Sequence, residues 1–249
     1  MVIQEHVAIG SKTTMKIGGT ARYYAELLSR EDVEEAVKFA SVQNLPLIPF
    51  GGGANTVFAD GEINALVVRM KAVGGAIFGN AGQGAGGIWI DSFVQNVTAY
   101  VDGAWKTFTK EECHFSYRES GFKEMSGPII IWETVLQIPS RPKNEVKAEI
   151  ERLLQKRIET QPHIKTAGSC FKSLPDGTPA WKLIDAAGLR GTTVGGVQIA
   201  EKHANFLLNT GGGTFEDVAR ITALVKEKVP EIASIEMRLF QVDRSLFQP

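Results

Sequence analysis

The sequence predicts an α+β fold, and three observations predict it. Two helix starts carry capping signals, Ser29 with Asp32 and Thr214 with Asp217. Between them, Ile88 to Ile138 is mostly extended, with alternation at Asn96–Val101 closed by an Asp102-Gly103 turn signal. Glycine, 26 of 249 residues, is clustered at Gly18-Gly19, Gly51-Gly52-Gly53, Gly74-Gly75, Gly79 to Gly87 and Gly211-Gly212-Gly213. Glycine at strand ends lets backbone turn sharply or approach a ligand, which suits a chain built around a large cofactor.

The elements follow in order. After Ser29, the residues Val33, Ala36, Val37 and Ala40 recur at helical spacing. Leu45–Phe50 is a short apolar strand ending in the triple glycine, and Ala65–Met70 is a second strand. Ile129–Trp132 with Val135–Ile138 reads as a later strand. Pro139 to Pro142, polar with two prolines, reads as a linker. Asn144–Glu159 is helical, with Val146, Ile150, Leu153 and Leu154 as its apolar stripe. Thr178–Ala187 is a helix ending at Gly188. The helix opened by Thr214 turns Val218, Ile221, Leu224 and Val225 inward and stops before Pro230; Ile232–Val242 reads as a final strand.

Composition excludes several classes of function. Hydrophobic residues at 43% and charged residues at 22% are ordinary for a globular protein. With 27 basic and 28 acidic residues, the net charge of -1 leaves no electrostatic footprint for nucleic acid or an anionic membrane. No apolar run is long enough to span a bilayer, so a cytoplasmic enzyme is expected. The sequence carries no signal for its assembly, and a monomer is the expectation by default. Cys113 and Cys170 make neither a disulfide framework nor a metal site, and the four histidines lack ligand spacing, so no metal is expected. In an extended strand, Cys113 and His114 would face opposite ways.

Four motifs carry candidate chemistry. Thr166-Ala167-Gly168-Ser169-Cys170-Phe171-Lys172 delivers Ser169 into a tight turn, with no histidine in the next twenty positions to make it a nucleophile. A serine so placed is suited to giving a proton rather than attacking. Gly51-Gly52-Gly53-Ala54-Asn55-Thr56 follows a strand, and its amides can form an anion nest. Ser116-Tyr117-Arg118-Glu119-Ser120 sets an arginine beside a tyrosine, able to orient a substrate or steady negative charge. Glu236 alternates with Ile235 and Met237 along a strand. Taken singly, each also has an ordinary reading: a turn hydroxyl, a hairpin, a surface arginine, an exposed carboxylate. Gly82-Gln83-Gly84-Ala85-Gly86-Gly87 matches the spaced glycines of a dinucleotide site, but extended sequence follows where a helix is required, and we reject it.

Together the motifs resemble the UDP-N-acetylenolpyruvoylglucosamine reductase (MurB) family. The resemblance rests on Thr14-Met15-Lys16-Ile17-Gly18-Gly19, Gly51–Asn55, Val73-Gly74-Gly75-Ala76 with Asn80-Ala81-Gly82, and Ser116–Lys123. It continues through Gly168–Lys172, Leu183–Gly191 and Gly195–Phe206, in family order over almost the whole chain. The resemblance implies a vanillyl-alcohol-oxidase-like (PCMH) FAD-binding domain in two parts, residues 1–62 and 63–161. A substrate domain at 162–238 and a tail, 239–249, that returns to the FAD-binding part complete it. It implies FAD as cofactor, NADPH as reductant and a UDP-sugar as substrate. It implies Ser169 as proton donor, with Arg118 and Glu236 stabilising the charge that develops. A carboxylate can do that only when it carries a proton or is bridged to a donor. Tyr117, Lys172, Ser173, Gln198 and Lys202 are implied as substrate contacts. Gly51, Gly52, Gly53, Ala54, Asn55, Gly74, Gly75 and Asn80 are implied as cofactor contacts. His203 stands behind the substrate contacts or, as the more ordinary reading, is a satisfied turn or core histidine.

Two departures from the family pattern stand out. Only Arg69 to Ala72 bridge the strand at Val67-Val68 and the Val73-Gly74-Gly75 segment, where the family carries strand, helix and a Gly-Ile-Pro-Gly loop. Four residues cannot supply a crossover helix, so the FAD-binding region is shortened near 69–73. Ser173-Leu174-Pro175 stands where the family often has Asn-Pro. The shortening leaves a second expectation, a non-catalytic relative that binds a UDP-sugar or a protein partner without tight FAD.

Overall fold

The structure, a computed structural model, describes residues 1–70, 74–83, 88–243 and 245–246. Strands β1 (Ile3–Ala8) and β2 (Thr20–Leu27) precede helix α1 (Arg30–Val42). Strands β3 (Leu47–Phe50), β4 (Thr56–Phe58) and β5 (Glu62–Met70) follow. A short helix α2 (Gly74–Phe78) leads to β6 (Gly82–Gln83) and β7 (Ile88–Trp89). Next come β8 (Val94–Val101), β9 (Ala104–Thr109) and β10 (Ile130–Leu136). The remainder is α3 (Lys143–Thr160), β11 (Thr166–Ser169), α4 (Ala180–Ala186), β12 (Thr193–Val194), β13 (Val197–Ile199), β14 (Phe206–Asn209), α5 (Phe215–Lys228) and β15 (Arg238–Phe240).

These elements form two compact units, one of Met1–Glu5, Tyr23–Gly52 and Ala65–Ser140, the other of His6–Arg22, Gly53–Asn64 and Arg141–Pro249. The chain's last passage between them falls inside the expected Pro139–Pro142 linker.

In the first unit, β3 pairs in parallel with β5, Leu47 opposite Leu66. Helix α1 packs Val33, Ala36 and Ala40 into one core with Leu66 and Val68. Each fully buried valine or leucine contributes roughly 1.5–3 kcal/mol. Its start has the reciprocal cap: Asp32 N–H donates to Ser29 Oγ while Ser29 N–H donates to the Asp32 carboxylate. A three-stranded antiparallel sheet, β10–β8–β9, holds the second core of this unit around Val97, Ala99 and Phe122. The β8–β9 turn has Asp102 at φ 52° and Gly103 at φ 79°, the two positive values of a type I′ hairpin. Cys113 and His114 lie in a 3₁₀ turn rather than a strand. Cys113 is buried, and His114, at φ 45°, ends the turn and is exposed.

In the second unit, the antiparallel sheet β11–β14–β13–β12 shares a core with α4 and α5, including Val197, Leu207, Ile184, Val218, Ile221 and Val225. Helix α5 has its own reciprocal cap between Thr214 and Asp217. Helix α4 begins at Ala180, two residues later than the sequence suggests, because Pro179 stands at its N-cap with extended backbone (ψ 130°) and a proline disfavours helical geometry in the residue before it. Helix α3 keeps its stripe exposed: Ile150 is 52% and Leu154 54% accessible. Ion pairs along its surface, Lys147–Glu151 and Arg152–Glu149, support it instead. The expected strand from Ile232 to Val242 contracts to β15, because only Arg238–Phe240 find a ladder, in parallel with β4; Ile235 makes one isolated bridge to Phe171.

Candidate active site

Ser169 is the last residue of β11. Thr166 pairs with Leu208 and Ser169 with Phe206, so β11 carries one residue more than β14 over that interval. The extra residue is a bulge, and Gly168 within it sits at φ 82°. Bulges beside sites re-aim the next side chain, which here is Ser169. Thr166 Oγ1 accepts from Gly168 N–H at 3.2 Å. Directly behind, Cys170 is fully buried and burial pushes its thiol up to about 12, so it stays protonated and inert.

Beyond the bulge, the chain pairs with the segment before β15. Glu236 N–H donates to Cys170 O at 2.7 Å, and Lys172 N–H donates to Ser234 O at 3.2 Å. Ile235 and Met237 are buried while Glu236 between them is half-buried on the opposite face, as alternation requires. Asn55 ties the glycine loop to the same segment: its Nδ2 donates to Glu236 O, and its own carbonyl accepts from Arg238 N–H, both at 3.0 Å. The main chain thus gathers Ser169, Glu236 and Asn55, with Lys172 and Ser173 shortly after along the chain.

Thr14 joins the same group. Its N–H donates to Gly53 O at 3.0 Å and its hydroxyl to Thr166 O at 2.6 Å. Gly53 is buried at φ 68°, and a Cβ there would lie 2.7 Å from Lys12 O. A cavity of about 520 Å³ opens here, lined by Ala54, Arg157, Ile158, His163, Gly168 and Phe206 among others.

Three expected residues use their side chains within the protein. Gln198 Nε2 donates to Gly191 O at 3.2 Å. Lys202 Nζ donates to Ile158 O at 2.5 Å, in the last turn of α3. His203 lies between Trp181 and Phe206, and burial lowers its pKa. Asn205, by contrast, escaped the sequence reading: its side chain bonds three times to the backbone of Cys170 and Phe171. The signal was an asparagine just before a buried apolar strand, where an amide is tolerated only when its hydrogen bonds are met.

In the first unit, Tyr117 and Arg118 form the corner of a tight turn closed by two hydrogen bonds between Ser116 and Glu119, each 3.1 Å. Arg118 holds φ 58°, strained for a residue with a side chain, and such outliers point towards function. Its guanidinium lies 5.3 Å from the Trp89 ring centre, and Tyr117 meets Trp89 edge-on. Asn80, 2% exposed, secures the turn: its Nδ2 donates to Ser116 O at 2.8 Å and its Oδ1 accepts from Asp91 N–H at 3.3 Å. Gly74 and Gly75 open α2, with open space around Gly75. Of the rejected Gly82–Gly87 pattern, Gly82 pairs with Trp89 in an antiparallel ladder; Gly84 to Gly87 lie outside the described residues, as do Lys71, Ala72 and Val73.

Residues 159–239 match the family model described as UDP-N-acetylenolpyruvoylglucosamine reductase, C-terminal domain. A reductase of that name from Aquifex aeolicus is 31% identical, covering 93% of this chain and 91% of its own. The chain belongs to the UDP-N-acetylenolpyruvoylglucosamine reductase family. A Thermotoga petrophila member is 37% identical over 90% of this chain and 93% of its own. The solved reductase of Thermus caldophilus aligns with a TM-score of 0.83 at 26% identity, covering 96% of this chain and 99% of that one. The Aquifex alignment runs over 281 positions against 249 residues here, so that relative carries residues this chain lacks.

The family implies a flavin dinucleotide, and the glycine loop fits one. Among the described residues, none accepts a hydrogen bond from the amides of Gly52, Gly53 or Ala54. Consecutive unused amides on a tight glycine loop make the concavity that a diphosphate fills. Among the described residues, no cluster of histidine, cysteine or carboxylates could hold a metal.

Proposed function

We propose that this chain reduces the enolpyruvyl ether of UDP-N-acetylglucosamine to UDP-N-acetylmuramate, a step of peptidoglycan precursor synthesis, as an FAD-dependent NADPH oxidoreductase. A bound FAD, held at the Gly51–Asn55 loop, would supply the hydride chemistry that links NADPH to the vinyl carbon of the substrate. The chain's residues then manage the charge and the proton. Ser169 holds its hydroxyl proton for the carbon next to the carboxylate, which is strongly basic once hydride has arrived on its neighbour. Positioned general acids contribute about 10²–10⁴-fold. Arg118 offers a fixed cationic fork to the substrate carboxylate. Glu236 assists when it carries a proton or is bridged to a donor.

Gly51, Gly52, Gly53, Ala54 and Asn55 hold the diphosphate, aided by Gly74, Gly75 and Asn80. Tyr117, Lys172 and Ser173 contact substrate, with Gln198 and Lys202 in support. Residues 1–62 and 63–161 serve the flavin, 162–238 the UDP-sugar, and 239–249 return to the flavin part. The protein works as a cytoplasmic monomer without nucleic acid or membrane; among the described residues no helix is long and apolar enough to cross a membrane.

The observation that carries this reading is the hydrogen bond from Glu236 N–H to Cys170 O, which sets Glu236 beside the peptide that follows Ser169. Stopped-flow kinetics of Ser169→Ala tests it. NADPH should still bleach the flavin at the wild-type rate, while reoxidation by substrate slows by about 10²–10⁴-fold. Equal damage to both half-reactions would make Ser169 a structural residue.

A further inference from the structure

Asn205 stands one residue before β14 and is 7% exposed. Its Oδ1 accepts from Phe171 N–H at 2.9 Å and from Cys170 N–H at 3.2 Å. Its Nδ2 donates to Phe171 O at 2.9 Å. Its own carbonyl accepts from Cys170 N–H at 2.9 Å. So both amides and one carbonyl of the Cys170-Phe171 pair end on a single residue. The remaining carbonyl, of Cys170, accepts from Glu236 N–H.

Upstream of Ser169 the chain is held at Thr166, whose carbonyl accepts from the Thr14 hydroxyl and whose Oγ1 accepts from Gly168 N–H. Gly168 itself, in the left-handed region, has no side chain to pack. The two peptides that follow Ser169 are fixed by Asn205, and they set the direction in which the strand leaves the bulge. We propose that Asn205 is the positioning residue for Ser169: it fixes the main chain after the bulge so that the hydroxyl is held at one angle beside Glu236. This rests on the proton-donor role proposed for Ser169.

The chemistry of the grip is specific to an amide. Acceptor and donor are both used, and Phe171 is 2% exposed, so water cannot replace either. Aspartate would keep the two accepted bonds and turn the third into a contact between oxygens. Alanine would remove all three.

Three measurements on Asn205→Ala, Asn205→Asp and Ser169→Ala test this. Hydrogen exchange reads the grip without any cofactor: the Phe171 amide should exchange faster in the alanine variant, while the Cys170 amide, which keeps the Asn205 carbonyl, and those of α5 change little. In the flavin-loaded protein, NADPH-driven reduction should keep its rate. The substrate-driven half-reaction should slow on the order of 10²-fold, the scale of a 1 Å misplacement. Its solvent deuterium isotope effect should rise as proton delivery becomes limiting. The aspartate variant should fall between, and it decides the matter if the alanine variant does not fold. An oxidative half-reaction at wild-type rate in both Asn205 variants, with Ser169→Ala slow, would overturn the positioning role alone. Wild-type rates in Ser169→Ala would overturn the proton-donor reading and the positioning role with it. Equal loss in both half-reactions with no change in isotope effect would make Asn205 structural.

Discussion

Replacing Gly168 by alanine isolates backbone strain from crowding. Gly168 sits at φ 82°, and its added Cβ would meet no atom within 4 Å. The native cost is therefore conformational only, about 1–2 kcal/mol for an L-residue in the left-handed region. Alanine also narrows the unfolded chain, which returns about 0.4–1 kcal/mol. The net loss is about 1 kcal/mol, or a melting shift of about 2–4 °C for a chain of this size. Gly53→Ala provides the contrast: φ is 68°, and the Cβ would stand 2.7 Å from Lys12 O and 2.8 Å from Thr13 Cα, main-chain atoms that cannot swing aside. Gly196→Ala adds crowding without positive φ, its Cβ 2.4 Å from Gly213 N. Thermal unfolding of the three variants should rank Gly168→Ala mildest. A Gly168→Ala loss equal to that of Gly53→Ala would refute the separation of strain from space. The small stability loss should still slow substrate reduction, because the bulge aims Ser169.

Two other outcomes follow from groups near the site. Cys170, held protonated by burial at about 12, should resist a thiol reagent at about pH 8 in the folded protein and react on unfolding; rapid native labelling would contradict its seclusion. Burial lowers the pKa of His203, and hydrogen bonds from Arg190 lower that of Asp185. A depressed folded pKa gives stability that is present above the unfolded pKa and lost as pH falls through the folded one. Urea midpoints should therefore drop in two stages, first below about pH 6.5 for His203 and again below about pH 3.9, where Asp185 titrates together with other lowered carboxylates such as Asp32 and Asp217. His203→Phe should remove the first stage, and a first stage that survives it would assign that decline elsewhere.

What could be read from the sequence depends on where each partner lies along the chain. The caps at Ser29 and Thr214 were legible because donor and acceptor are three residues apart. The Asp102-Gly103 hairpin was legible because both residues tolerate positive φ. The final strand was over-extended because its periodicity runs from Ile232 to Val242, while its true length depends on β4, far away in sequence. Helix α3 showed the same limit: its stripe fixes the helix, yet periodicity cannot say whether another element covers that stripe. The site divides along this line too. Gly168 announces a turn by its identity alone. Which way the turn sends Ser169 depends on Asn205, and where Glu236 meets it depends on Cys170 O, and neither partner is local. Asn55 makes the point most sharply. Read locally, it closes a glycine loop suited to phosphate; in the fold, its side chain also fastens the backbone of Glu236. A residue that joins the proposed cofactor loop to a candidate catalytic carboxylate couples the two, so a substitution at Asn55 should disturb the reaction and flavin affinity together, whereas one at Gly52, with open space around it, should disturb flavin affinity alone.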